Sequence, residues 1–297
     1  MIDIGKIKSP ILLRGDHRTA YRDPAVYFHE GTFYFYFTLV ETEDDGGIYM
    51  YLAMTKSDDL IHFAPVRKLT CRDRRCNYSS PGNVVRFQDR FYLCCQTYCR
   101  ENGEKYGNEN SRIWLLESDD LVNWSEPEII RVKGDDVPVE EMGRMIDPYL
   151  IQNDDGEWFC FFKQNNGVSF SRSADLKRWT PCGHAECGEN VCIVRDGDLF
   201  RLWYSPSNGI GEKTSRDLKH WQDSGRIETL GQQDWPWAKG RITAGMVLDL
   251  RRESSVGTAF MFFHGTGPKD ERTVFDQYAC IGFAWSDDLE HWKYITG

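Results

Sequence analysis

The chain has no Cys-x-x-Cys pair, no apolar run long enough to cross a bilayer, and no excess of basic residues. Each absence removes a class of function. Without paired cysteines matched to a histidine pair, no zinc site is expected from the ten cysteines. Without an apolar stretch approaching twenty residues, no membrane helix is expected. The opening MIDIGKIKSPILLRG lacks the apolar core of a signal peptide, so the expectation is a soluble, cytoplasmic protein without disulfides. The 36 Lys and Arg are outnumbered by 46 Asp and Glu, a net charge of −10. Nucleic acid and anionic membrane are therefore not expected partners. The one compact basic run, Arg72-Asp73-Arg74-Arg75, reads as a solvated loop. Long amphipathic helices are missing as well. What the chain has in quantity is aromatic side chains, 14% of residues with ten Trp.

It also has a repeat. The phrase Ser-x-Asp-Leu-x-x-Trp recurs five times, with its Asp at Asp59, Asp120, Asp175, Asp217 and Asp288. Only the first copy departs, with Phe63 in the Trp position. Ser and Asp close a turn by bonding nearby backbone groups, and Leu and Trp are placed to plug the gap between neighbouring sheets. Each phrase is preceded by a β-rich hairpin: Tyr21–Val40, Gly82–Thr97, Asp147–Gln164, Glu189–Ser205 and Gly245–Gly265. Each hairpin carries a tight polar turn such as Glu30-Gly31 or Asp196-Gly197. A third strand then leads into the phrase, as at Ile48–Thr55, Arg112–Glu117 and Ala279–Trp285. A supersecondary unit that recurs this way cannot bury its faces alone and must stack on its copies. The expected fold is all-β, a five-bladed β-propeller, with residues 1–297 forming one domain.

In a propeller the innermost strands begin near one mouth of a central channel, so residues at those starts converge. Aligned on the hairpin turns, Asp23, Asp147 and Glu189 open blades one, three and four, while Gly82 and Ala244 or Gly245 stand in blades two and five. Two of the acids are Asp-Pro, and Pro suits the first residues of a strand. Three acids facing one channel repel one another, which raises at least one pKa. A protonated acid beside an ionised one is what glycosidic bond cleavage requires.

The Arg22-Asp23-Pro24 opening, Ile146-Asp147-Pro148, the blade-four Glu and the five turns resemble the five-bladed propeller glycosidases of glycoside hydrolase family 43. The resemblance covers essentially the whole chain, and families 32, 62 and 68 share the fold. It implies Asp23 as general base, Asp147 as the residue that orients the acid and raises its pKa, and Glu189 as general acid. Two departures stand out. The family's Glu-Gly-Pro is here Glu189-Asn190-Val191, and Ala185-Glu186-Cys187 resembles the Glu-Cys pair of family 32, making Glu186 a rival. The blade register favours Glu189.

Other residues fall near the same mouth. Arg22 precedes the first acid, Asn83 opens blade two, and Arg144 lies three residues before Asp147. Lys163 ends the blade-three hairpin, and Arg241 begins blade five. Trp235 and Trp237 sit in the polar loop before blade five, where the expectation is a sugar platform or rim. His264 closes the blade-five hairpin. No metal or cofactor is expected for catalysis. The resemblance does imply that a blade-five His helps to hold a central hydrated cation such as calcium, which makes His264 a candidate. The expected partner is a carbohydrate. The expected activity is inverting hydrolysis of a short oligosaccharide or terminal furanoside or pyranoside, as by an arabinofuranosidase or xylosidase. The alternatives are a retaining, fructan-type hydrolase or transferase, and a non-catalytic sugar-binding propeller.

Overall fold

The computed structural model describes residues 2–296. Five antiparallel sheets form in chain order, and the inner strand of each touches the inner strands of both neighbours, closing a ring. Blade one comprises Thr19–His29, Thr32–Thr42, Ile48–Ser57 and the short Arg67–Lys68. In blade two the inner strand is broken into Tyr78–Ser79 and Val84–Phe87, both paired with Arg90–Thr97. Blades three and four are regular, with inner strands Ile146–Gln152 and Glu189–Asp196 and second strands Trp158–Gln164 and Leu199–Ser205. Blade five, Arg241–Asp249, Ala259–Thr266 and Cys280–Ser286, takes its outermost strand from the other end of the chain. Ile11–Leu13 pairs there with Cys280–Ser286, so both ends of the chain meet in one sheet. That strand is too short to show in the sequence pattern.

The run Phe33-Tyr34-Phe35-Tyr36-Phe37 explains the packing. Alternate residues of a strand face opposite sides, and an inner region of a blade has a neighbour on each side. Phe33 and Phe35 meet Phe260 and Phe262 of blade five edge-on, at 5.8 and 5.1 Å between ring centroids. Tyr36 faces the other way, donating its hydroxyl to the Leu121 carbonyl of blade two at 2.6 Å. Phe33, Phe35, Tyr36 and Phe37 are all fully buried. An apolar run without alternation is thus the signature of a sheet covered on both faces.

The repeated phrase forms the same turn five times. In the first, Ser57 Oγ accepts the Leu60 N–H at 2.9 Å, and Asp59 Oδ1 accepts the N–H groups of Ile61 and His62, both at 2.8 Å. These bonds hold the leucine in the left-handed region, with φ of 61°, 64°, 63°, 63° and 66° at Leu60, Leu121, Leu176, Leu218 and Leu289. That conformation is costly for a residue with a side chain, and burial of each leucine offsets the cost. In three copies the Trp reaches across to the preceding blade, while Phe63 meets Phe35 of its own blade. Trp124 meets Tyr36, Trp221 meets Phe161 and Trp292 meets Trp203, all edge-on.

The turn aspartates couple this geometry to pH. The N–H groups of Asn123 and Val122 hold Asp120 down at about 2, below the ordinary range near 4. A folded-state pKa below the unfolded one gives stability that is complete above about pH 4 and is lost as pH falls through the folded value. Asp120→Asn should therefore lower stability at neutral pH and make the loss between about pH 4 and pH 2 shallower than in the wild type. Urea unfolding across that range measures it, and an unchanged slope would show that the turn carboxylate is not linked to folding.

Candidate active site

All five inner strands break their ladders at the same mouth. The register slips between Arg22 and Ala25, Ile146 and Tyr149, Glu189 and Cys192, and Thr243 and Met246, and blade two is interrupted after Ser79. The residue at each break has a positive φ: Asp23 49°, Ser80 42°, Asp147 52°, Asn190 52° and Ala244 53°. These five are the structural equivalents. The sequence register is corrected in two blades, because the anchoring Gly is second in the blade-one turn Glu30-Gly31 but first in the blade-four turn Gly197-Asp198, and because the blade-two break carries one residue more than the blade-one bulge. Ser80, not Gly82, holds the blade-two position. Asn190, not Glu189, matches Asp23 and Asp147, and Glu189 is the counterpart of Arg22. The Asn in place of the family's Gly also gains a reason, since Asn tolerates the left-handed region better than most residues.

The bulges are tied to one another around the ring. Opposite the residue before each bulge, the second strand carries Thr38, Gln96, Lys163, Ser205 or His264. Four of these accept the bulge N–H of the next blade. Thr38 Oγ1 takes Ser80 N–H at 2.7 Å, Gln96 Oε1 takes Asp147 N–H at 2.6 Å, and Ser205 Oγ takes Ala244 N–H at 2.7 Å. His264 Nδ1 takes Asp23 N–H at 3.1 Å and so links blade five to blade one. Lys163 has no acceptor to offer. It donates to the Glu189 carboxylate instead.

Asp23, Asp147 and Glu189 line one cavity of about 470 Å³. Glu186 is exposed and lies outside it. Asp23 accepts from the Thr38 hydroxyl at 2.8 Å and, among the described residues, has no Lys or Arg within ion-pair distance. Asp147 is buried and accepts from Ser80 Oγ at 2.8 Å. Glu189 is held by Lys163 on one oxygen and by Arg241 Nη2 at 3.1 Å on the other.

The charges sort the acids in the reverse of the expected order. Burial, and then the Glu189 charge, push Asp147 up to about 7 against the opposing pull of Lys163. Burial also acts to raise Glu189, but Lys163 and Arg241 outweigh it, and its pKa lies below the ordinary value. Asp147 was expected to raise Glu189. With Glu189 clamped by two cations, the repulsion between them falls on Asp147, which makes no ion pair among the described residues.

Behind these stands Glu271, which sequence reasoning missed. It is buried, ion-paired with Arg22 at 2.5 Å and with Arg241 at 2.9 Å, and meets His264 Nε2 at 3.3 Å. Burial opposes its ionisation, yet Arg22, His264 and Arg241 together hold it far below the carboxylate range. Since Nδ1 of His264 accepts from Asp23, the network assigns the proton to Nε2, facing Glu271. Both ring nitrogens are engaged, which does not fit a ligand to a central cation. Glu271 comes from the loop after the blade-five second strand, where the repeat has no counterpart.

The remaining expected residues divide. Arg22, Arg144, Lys163, Arg241 and His264 all line the cavity. Asn83 does not: its side chain is buried, accepting from Leu150 N–H at 2.9 Å and donating to Leu150 O at 2.8 Å, which clips blade two to blade three. Trp235 and Trp237 do not line it either. Trp235 is 1% exposed, stacks on Phe263 and Trp237, and donates its indole N–H to Ile295 O at 2.9 Å. The aromatic wall comes instead from Tyr98, Phe275 and Tyr106. Phe275 stacks near Tyr98 and meets Tyr106 edge-on, and Tyr106 is 46% exposed.

Removing Glu271 leaves the buried Arg22 and the partly buried Arg241 each short of a partner. Breaking a buried ion pair from one side typically costs ~3–5 kcal/mol. Glu271→Ala should destabilise the protein by about that amount in urea unfolding. A loss within the range of a surface substitution would show that the hub does not organise the site.

The sequence profile of Glycosyl hydrolases family 43 matches residues 17–173, more than half of the chain. No curated protein matches it by sequence. Among solved structures, a thermostable family-43 glycoside hydrolase is 13% identical with a TM-score of 0.62, covering 93% of each chain. The α-L-arabinofuranosidase PaAbf62A from Podospora anserina, solved with cellotriose, is 15% identical with a TM-score of 0.65 over 90% of each. The Cellvibrio cellulosa α-L-arabinanase, solved with arabinohexaose, is 14% identical with a TM-score of 0.63, covering 93% of this chain and 96% of that one. At such identities the structural likeness establishes the fold, a five-bladed propeller. The profile match carries the family: the chain belongs to glycosyl hydrolases family 43, and is a glycoside hydrolase.

Proposed function

We propose that the cavity cleaves a terminal pentose, as an arabinofuranosidase or xylosidase does, from a short oligosaccharide with inversion at the anomeric carbon. The observation that carries this reading is the division of the three acids within one 470 Å³ pocket. Asp23 stands without a cation and serves as the base that takes a proton from water. Asp147 and Glu189 hold one proton between them up to about pH 7 and form the acid side. That proton passes from Asp147 to Glu189 and on to the leaving oxygen, and the one that Asp23 takes from water returns to the pair through solvent after the products leave. Water attacks from the face opposite the leaving group, which gives inversion. Support for a pentose comes from the relatives, one solved as an α-L-arabinofuranosidase and another as a β-xylosidase/α-arabinofuranosidase from a compost metagenome with xylotriose. The pocket shape supports a short substrate, since a cavity of this volume is of small-ligand size.

The two sides of the reaction should separate by leaving group. Glu189→Ala should lose ~10²–10⁴-fold on unactivated glycosides and far less on aryl glycosides whose leaving oxygen needs little protonation. Asp23→Ala should lose activity on both. Steady-state rates on the paired substrates test this, and an equal loss on both for Glu189→Ala would refute its role as acid. NMR of the first-formed sugar should show the inverted anomer; a retained one would assign Asp23 as a nucleophile.

The alkaline limb of the rate profile should fall near pH 7, where the shared proton leaves. In Asp147→Asn the only remaining acid is Glu189, already lowered by Lys163 and Arg241. That limb should move to lower pH on unactivated substrates, and an unmoved limb would place the proton elsewhere.

A further inference from the structure

Lys163 is the exception in the ring of clasps. The other four residues at its position supply an acceptor to the next blade's bulge. Their types differ widely, and only the acceptor is shared. Lys163 occupies the same ladder position, opposite Ile146, and its ammonium instead crosses to the Glu189 carboxylate of blade four. A clasp that serves the scaffold alone would use a neutral acceptor, as Gln96 does one blade earlier. A lysine here leaves the Asn190 N–H without the side-chain partner that its four counterparts have, and puts a positive charge against the acid pair.

We propose that Lys163 is a positioning residue of the reaction, replacing the blade-three clasp with a bond that fixes the orientation and charge of Glu189. This rests on the reading of Glu189 and Asp147 as the acid side. The groups facing Glu189 are Lys163 from blade three, Arg241 from blade five, and Asp147 across the pocket. Glu271 lies one contact further back, through Arg241, and Arg22 one beyond it, through Glu271. Arg241 divides its fork between Glu189 and Glu271, so its charge is partly spent. Lys163 makes no other ion pair among the described residues. Its ammonium therefore has the larger say in whether the proton of the pair sits on Asp147 or on Glu189. A sugar hydroxyl entering beside Glu189 competes for the Lys163 donor. Loosening that bond lets the proton pass from Asp147 to Glu189, from which it leaves with the departing oxygen. The pair gains and loses one proton per turnover, and Lys163 keeps all of its own.

The test is Lys163→Gln, with Lys163→Arg and Lys163→Met beside it. Glutamine restores a neutral acceptor of the kind present at Gln96. Removing an adjacent cation raises a carboxyl pKa, by one unit or more at close range. The alkaline limb of kcat/KM on an unactivated pentose oligosaccharide should shift up by about one pH unit or more in Lys163→Gln and Lys163→Met, and stay in place in Lys163→Arg. The melting temperature of Lys163→Gln should stay near that of the wild type. If Lys163→Gln does not fold, Lys163→Met carries the same comparison. An unmoved limb in a folded, active, uncharged variant overturns the proposal while leaving the hydrolase reading intact. A second readout needs no turnover: the 13C carboxyl signal of Glu189 should titrate at higher pH in Lys163→Gln than in the wild type. If the wild type cleaves no glycoside, the reaction assigned above fails, and the carboxyl titration alone decides whether Lys163 sets the charge of Glu189.

Discussion

The bond from the second strand of one blade to the bulge of the next is the constraint on which the site depends. A bulge frees a backbone N–H from the ladder, and a buried N–H must find another acceptor. Thr38, Gln96, Ser205 and His264 supply it across the blade boundary. The same bonds hold Asp23, Ser80 and Asp147 in the left-handed region, where each side chain is presented at the channel mouth. Strain of this kind persists only where its surroundings over-determine it. Here the surroundings are the ring itself, so the architecture that closes the propeller also fixes the acids.

Charge is organised on the same frame. Of the four cations that line the pocket, Arg22, Arg241 and Lys163 are paired with Glu189 and the buried Glu271. The Asp147 carboxyl is left with the Ser80 hydroxyl, buried and without an ion pair among the described residues. A carboxyl in that position takes up a proton as the least costly way to relieve burial. Asp23 lines the cavity with the Thr38 hydroxyl on one oxygen and no Lys or Arg pair among the described residues. The fold thus separates the three carboxylates by which of them meets a cation.

Much of this was legible in the sequence. The five Ser-x-Asp-Leu turns gave the blades, because a left-handed leucine needs the same Ser and Asp bonds wherever it occurs. The two Asp-Pro starts and the blade-four Glu marked the acids that meet in the pocket. The clasps were not legible, since Thr, Gln, Lys, Ser and His share no residue class, only their place at the end of an apolar second strand. Glu271 and Phe275 were missed because their loop after the blade-five hairpin has no equivalent in the other blades. Trp235 and Trp237 misled, because a polar loop around two indoles reads as exposed, whereas the loop folds its Trp onto Phe263 and keeps its charges outside. Asn83 misled for a related reason: an amide near a blade mouth serves a neighbour's backbone as readily as a sugar.

The central claim is that the empty pocket keeps its shared proton on Asp147 while Lys163 and Arg241 hold Glu189 ionised. Neutron diffraction from deuterated crystals of the unliganded enzyme, grown near pH 6, observes that proton directly. The account predicts a deuteron on a carboxyl oxygen of Asp147, none on Glu189, and three on Lys163 Nζ. A deuteron on Glu189 with Asp147 bare would contradict it.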